Sequence, residues 1–235
     1  MEVKIMDKAA VPFLMVNPKS YLYGKKSLDL AKEVDKIAET AGFDIYFTCP
    51  YADIRLIAEN TEHVIVTAQN MDSLTPGRGM GAILPESLAE AGARTVVLNH
   101  AENPKKIHEL YSCIYRAREL GLRTIVCADS VTEAKAVAVF DPDIILAEPT
   151  DLIGTGKTAG DDYITGTVEA IKSVNPDTKV MIGSGITTAD DCYKVVRFGA
   201  DGAGSTSGIL KAPSPAGRVA EMVEAIKKAM EDRAD

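Results

Sequence analysis

Nothing in the spacing of the four cysteines, Cys49, Cys113, Cys127 and Cys192, pairs them as CxxC, and they lie far apart along the chain. A structural zinc site or a disulfide framework needs closely paired ligands, so the plain reading is buried free thiols in a reducing cytosol, with no metal. Long apolar runs are also missing. No stretch approaches the roughly 18 consecutive apolar residues of a transmembrane helix. The opening segment MEVKIMDKAAVPFLMVNPKS has an apolar run too short for a secretory signal, with Glu2 and Asp7 in its flank. A cytoplasmic protein is expected. Basic residues are in deficit: 26 Lys and Arg stand against 34 Asp and Glu, a formal net charge of −8. That sign argues against nucleic acid or a membrane surface as partner. It leaves room for a small anionic substrate, because a local lysine and backbone N–H groups can override the global charge. No GxGxxG turn follows the first apolar run, which continues as VNPKSYLYG; an open dinucleotide-binding sheet is therefore the second choice. No linker or low-complexity stretch divides the chain, so a single domain over residues 1–235 is expected.

What the chain does have is alternation. Short, β-branched apolar runs recur at 11–16, 43–49, 63–68, 94–99, 123–128, 143–148, 179–184 and 201–206. The last of these, DGAGST, is a weak strand candidate because glycine is depleted in strands. Amphipathic segments separate most of the runs. Residues 27–42 place Leu28, Ala31, Val34, Ile37 and Ala38 on one face and stop at Gly42. Residues 104–121 open near Pro104 and stop at Gly121. Residues 130–140 open on Ser130 with Glu133 three positions on, a capping-box pattern. Residues 187–199 and 214–233 complete the set. Strands separated by helices pair in parallel through crossovers. Eight such units in a chain of this length predict a closed (β/α)8 TIM barrel, an α/β fold.

Chemistry in such a barrel sits at the C-terminal ends of its strands. Asn17 and Lys19 follow the first run, His100 and Glu102 the fourth, Glu148 the sixth, Gly183, Ser184 and Gly185 the seventh, and Ser207 and Gly208 the eighth. Each has an ordinary alternative. Lys19 is either a solvated loop lysine or an ammonium that offsets charge developing on a substrate oxygen. His100 is either a satisfied core histidine or a neutral imidazole that donates to a carbonyl, kept neutral by the helix expected to open near Pro104. His63 and His108 lack that setting and read as structural or solvated. Glu148 is either one half of an ion pair or a general base. Pro149 pins the backbone after it, and TDLIGTGK has the mixture of apolar residues and glycines of a closing lid, which would desolvate the carboxylate and raise its pKa. The small-residue loops 183–185 and 205–208 are either turns or a phosphate cradle of backbone N–H groups.

Taken together the segments resemble one family. EPTDLIGTGKTA resembles the lid of triosephosphate isomerases, VNPKSY their first-strand Asn-x-Lys segment, TAQN their third-strand end, LNHAEN their histidine segment and ADGAGSTSGILKA their last phosphate loop. The order is collinear over roughly residues 11–225, and NPDTKVMIGSGI and TSGILKA look most like the compact archaeal-type branch. The resemblance implies an isomerase that interconverts dihydroxyacetone phosphate and D-glyceraldehyde 3-phosphate through an enediolate, without cofactor or metal. It implies Glu148 as base, His100 as neutral electrophile, Lys19 as charge stabiliser and Asn17 as a substrate-orienting group. It also implies a phosphate held by Gly154, Gly156, Ser184, Thr206, Ser207 and Gly208, and a homo-oligomer, tetramer or dimer; Met80, Ile83 and Leu84 in the third loop are either interface residues or core packing. The chain departs from the family pattern at Ala101 (commonly serine), at Asn103 and Pro104 (where arginine usually stands), at Met80 (typically threonine) and at Thr150 (often proline in the archaeal branch). Two alternatives stay open: an isomerase of another small sugar phosphate such as a tetrulose phosphate, and a non-catalytic binder of a phosphometabolite. Retention of Lys19, His100 and Glu148 argues against the second, since a binder needs no base.

Overall fold

A computed structural model describes residues 9–148, 160–183 and 185–234. The strands are β1 (Phe13–Val16), β2 (Asp44–Cys49), β3 (Ile65–Ala68), β4 (Thr95–Leu98), β5 (Arg123–Ala128), β6 (Ile144–Ala147), β7 (Lys179–Ile182) and β8 (Gly202–Ser205). They run parallel, each beside its neighbour in sequence, and β8 pairs with β1 to close the barrel. Every expected apolar run holds a strand. Helices α1 (Gly24–Ala41), α2 (Ile54–Ala58), α3 (Pro85–Glu90), α4 (Ile107–Glu119), α5 (Val131–Ala138), α6 (Asp161–Val174), α7 (Ala189–Arg197), α8 (Ser207–Leu210) and α9 (Pro215–Ala234) form the connections.

Strand side chains alternate between two faces, and the barrel uses both. One set, including Leu14, Ile45, Phe47, Val96, Val126 and Ile145, packs outward against the helices. The other, including Phe13, Met15, Tyr46, Ile125, Leu146 and Met181, fills the interior. This explains why the glycine-rich eighth run is a strand. A Cβ on Gly202 would lie 2.3 Å from the Phe13 ring, and one on Gly204 would lie 3.0 Å from the Met181 sulfur. The missing side chains are the space that Phe13, Met15 and Met181 occupy. At the N-terminal floor Arg123 donates to Asp44 Oδ2 at 2.7 Å and to the Tyr46 hydroxyl at 3.1 Å, and the Phe13 and Tyr46 rings meet edge to face at 5.7 Å.

The helices depart from expectation in informative places. Helix α1 ends where expected, with Gly42 in the left-handed region at φ 77°. Helix α4 begins at Ile107 rather than near Pro104. The reason is local: Lys105 N–H donates to Asn99 Oδ1 at 3.0 Å, which holds residues 99–105 as a loop. At α5 the capping box is half made. Ser130 Oγ accepts from Glu133 N–H at 3.2 Å, but the Glu133 carboxylate accepts from Asp129 N–H and the Asn99 amide instead of returning to Ser130. Helices α2 and α3 are too short to show a period, and α6 mixes Gly166 with β-branched residues, so none of the three stands out in the sequence.

Candidate active site

The inward alternation of the strands runs to their C-terminal ends and beyond, and delivers the site. Two positions beyond Met15, Tyr46, Leu146 and Met181 come Asn17, Thr48, Glu148 and Gly183, Thr48 still within β2 and the others just past their strands. Thr48 Oγ donates to Asn17 Oδ1 at 2.6 Å, and Lys19 N–H donates to the same oxygen at 3.0 Å. Gln69 Nε2 donates to Lys19 C=O at 2.8 Å. These bonds hold Lys19 in the left-handed region, φ 48°, a conformation that costs a side-chain-bearing residue free energy. The result is an ammonium fixed at the barrel mouth, paired with Glu102 Oε1 at 2.6 Å.

His100 lies across the mouth, its side chain 13% exposed. Glu102 N–H donates to Nδ1 at 3.1 Å. A backbone N–H is always a donor, so Nδ1 bears a lone pair and the ring proton of the neutral imidazole sits on Nε2. Burial holds the imidazole pKa below its usual value, the Lys19 ammonium adds to that, and Glu102 opposes it. The helix expected to open near Pro104 begins at Ile107, and burial and the neighbouring ammonium both lower the ring's pKa. Nε2 stands 3.7 Å from Glu148 Oε2, facing it but beyond hydrogen-bond reach.

Glu148 is tied to the barrel by its own N–H, which donates to Ala128 C=O at 2.9 Å. Burial raises its carboxyl pKa to about 7, with Lys19 pulling it down and Glu102 pushing it up. Under it lies Gly183, where a Cβ would stand 2.9 Å from Glu148 Oε1 and 2.7 Å from Leu146 Cδ1. Two cavities share Lys19 and Glu102 as a common wall. One of about 580 Å³ also reaches Glu148, Gly183, Gly185, Thr187, Thr206 and Ser207. The other, about 280 Å³, is lined by Asn17, Thr48, Gln69, His100 and Asn103. Among the described residues no group of three His, Cys, Asp or Glu side chains could hold a metal ion.

Lys19, His100, Glu148 and Asn17 thus come to one mouth, as do Thr206 and Ser207. Gly208 also has a packing role. It is buried, and a Cβ there would lie 2.5 Å from Thr187 Cα and 2.8 Å from Ile186 O, so it lets the loops after β7 and β8 touch. Gly154, Gly156 and Ser184, with the expected lid around Pro149, Thr150, Leu152 and Ile153, lie outside the described residues. His63 and His108 are exposed, one leading into β3 and the other in the first turn of α4, and neither lines the two cavities at the mouth. Glu102, Thr48 and Gln69 belong to the site; in the sequence Glu102 stands after the fourth run and Gln69 within TAQN without a role for either, and Thr48 is not singled out. Thr48 and Gln69 could have been found from the inward parity of β2 and β3. Glu102 carries no such signal, because its pairing with Lys19 depends on the conformation of a loop.

The sequence profile described as triosephosphate isomerase matches residues 12–226. A triosephosphate isomerase of Sulfolobus acidocaldarius is 38% identical over 95% of this chain and 99% of its own length. One from Methanocaldococcus jannaschii is 34% identical over 91% and 99%. One from Sulfurisphaera tokodaii is 36% identical over 87% and 90%. With the closed barrel and a match across nearly the whole chain, the protein belongs to the triosephosphate isomerase family, on the side of its archaeal members.

Proposed function

We propose that the chain interconverts dihydroxyacetone phosphate and D-glyceraldehyde 3-phosphate with Glu148 as base, His100 as neutral acid and Lys19 as fixed charge. The carboxylate takes the proton from the carbon beside the carbonyl. The electron pair left behind forms the C=C bond of an enediolate, and the carbonyl π electrons move onto oxygen. His100 Nε2–H donates to that oxygen, and the imidazole then takes the hydroxyl proton of the other oxygen, so charge moves without an imidazolium. Glu148 returns its proton to the second carbon. This division of labour is the one attributed to triosephosphate isomerases as a family. Lys19 offsets the negative charge that grows on the oxygens. Asn17 supports it: its Oδ1 is occupied by Thr48 and Lys19 N–H, which leaves its Nδ2 as a donor for substrate. The phosphate is assigned to Thr206, Ser207 and Gly208 N–H groups with Gly154, Gly156 and Ser184.

The observation that carries this reading is the fixed tautomer of His100, which turns Nε2–H toward the raised-pKa carboxyl of Glu148 beside the Lys19 ammonium. A coupled assay with glyceraldehyde 3-phosphate tests it. Turnover is expected from the intact chain and a fall of about a thousandfold in Glu148→Gln. An intact chain that turns over no triose would sink the assignment, and phosphorylated tetroses and pentoses would be assayed next. The 580 Å³ cavity continues past Ser207 to Leu210, Lys211 and Pro215, which leaves space for a longer sugar phosphate. We read the chain as a homo-oligomer in a cytoplasmic setting. The fully exposed Met80 side chain, in the loop between β3 and α3, supports the first. Light scattering that gives a monomer mass would contradict it. No helix among the described residues is long and apolar enough to cross a membrane.

A further inference from the structure

His100 and Glu148 follow β4 and β6, which do not pair with each other; β5 runs between them. Their separation therefore depends on what ties each to β5. Glu148 is tied through its N–H to Ala128 C=O at 2.9 Å. The residue before His100, Asn99, is tied to the adjacent carbonyl: its Nδ2 donates to Cys127 C=O at 3.0 Å. Its second amide hydrogen goes to Glu133 Oε1, also at 3.0 Å, and its Oδ1 accepts from Lys105 N–H. Glu133 Oε2 in turn accepts from Asp129 N–H at 2.7 Å, at the turn out of β5. Every polar position of the Asn99 side chain is thus used, and it closes its own loop while fastening it to β5 and α5. Asn99 itself sits at φ 59°, a left-handed conformation that asparagine tolerates better than most residues. The Glu133 carboxylate gives up the usual capping return to Ser130 to make these bonds. Asn99, Glu133, Cys127 and Glu148 all face one cavity of about 70 Å³, so the fastening lies directly behind the base.

We propose that Asn99 and Glu133 are positioning residues of the isomerisation: their side-chain bond fixes the His100 loop on β5 and so sets the reach from His100 Nε2 to Glu148. The claim rests on the enzymatic reading above. A loosened loop would also release Glu102 N–H from His100 Nδ1, and with it the single tautomer.

The test uses the full chain, with Asn99→Gly and Glu133→Gln. Glycine keeps the left-handed backbone and removes only the amide; glutamine keeps the shape of Glu133 but cannot accept at both ends. Asn99→Gly is expected to lower kcat by about 10- to 100-fold, as a small misplacement of reacting groups does, with KM changed less than about twofold. Glu133→Gln is expected to lower kcat less, and the double variant to be no worse than Asn99→Gly, because both act through one contact. In 15N spectra of the imidazoles His100 is expected to show one tautomer in the intact chain and a mixture in Asn99→Gly. Unchanged kcat in both single variants, additive losses in the double variant, or a loss of kcat with the tautomer unaltered would each overturn the proposal. If Asn99→Gly does not fold, Glu133→Gln carries the same two readouts. If the intact chain turns over no triose phosphate, the enzymatic reading fails while the tautomer spectra still decide whether Asn99 and Glu133 hold the ring.

Discussion

Glu148 is poised at a cost. In an unfolded chain its carboxyl would titrate near 4.5, whereas burial raises it to about 7 in the fold. Only the carboxylate can act as base, so kcat/KM should rise with pH through about 7. Burial, with the Lys19 ammonium beside it, holds the His100 imidazole below its usual range. A profile flat from pH 5.5 to 8 would contradict this assignment, and the measurement needs only buffers and the coupled assay. Stability runs the other way. Between the two pKa values the folded state binds the proton and the unfolded state does not, so stability falls as pH rises from about 4.5 to about 7. Below that window the penalty is absent; above it the penalty is complete, at most about 3 kcal/mol. Glu148→Gln should therefore withstand urea better than the parent chain at pH 8, and no better near pH 4.5, while losing activity at both. At this scale the sequence revealed Lys19, His100 and Glu148 because each ends or closely follows an apolar run. It did not reveal why His100 is neutral. That depends on burial and on the Lys19 ammonium, and both are set by neighbours distant in sequence.

Among the elements, the loops rather than the helices decide the site, and loops follow side-chain bonds that have no periodic signature. The start of α4 illustrates it: Pro104 is a sound helix-opening signal, yet Asn99 takes the Lys105 N–H and delays the helix to Ile107. The loops after β7 and β8 touch only because residue 208 is glycine. Gly208→Ala would drive a Cβ into the Ile186–Thr187 backbone, which cannot yield as a flexible side chain could. It is expected to cost about 1–3 kcal/mol of stability and to raise KM more than it lowers kcat, as read by steady-state kinetics beside a urea titration. A contrasting variant lies at the other end of the barrel. Asp35 in α1 accepts from the N–H groups of Glu62, His63 and Val64 just before β3. Asp35→Ala should cost about 1.5–3 kcal/mol, the range for hydrogen bonds to a charged group, and leave kcat and KM unaltered. A kinetic effect there would mean that the floor and the mouth are coupled.

For the molecule as a whole, alternation of apolar runs was enough to give the barrel, because eight parallel strands joined by helices have few other ways to close. Its most doubtful strand was doubtful for a physical reason. Glycine is a poor strand former alone, and its value in β8 appears only when Phe13, Met15 and Met181 have filled the space beside it. Gly202→Ala should accordingly cost about 3 kcal/mol or more, since the Cβ would meet a ring and a backbone oxygen with no room to move. Calorimetry would measure it, and a change below about 1 kcal/mol would mean that the barrel adjusts its closure more easily than its packing suggests.

The interior beneath Glu148 descends through Leu146, Met181, Ile125 and Ile144 to a floor sealed by Phe13, Tyr46 and Arg123. It is therefore a vessel with one opening, and apolar side chains make up most of its contents. The proton affinity of the base is then a property of that whole column, the medium against which its charge is measured. A polar side chain set deep in it, such as Met181→Gln, would make the medium more polarisable. It would shift the acid limb of the activity profile to lower pH without altering any group that meets the substrate.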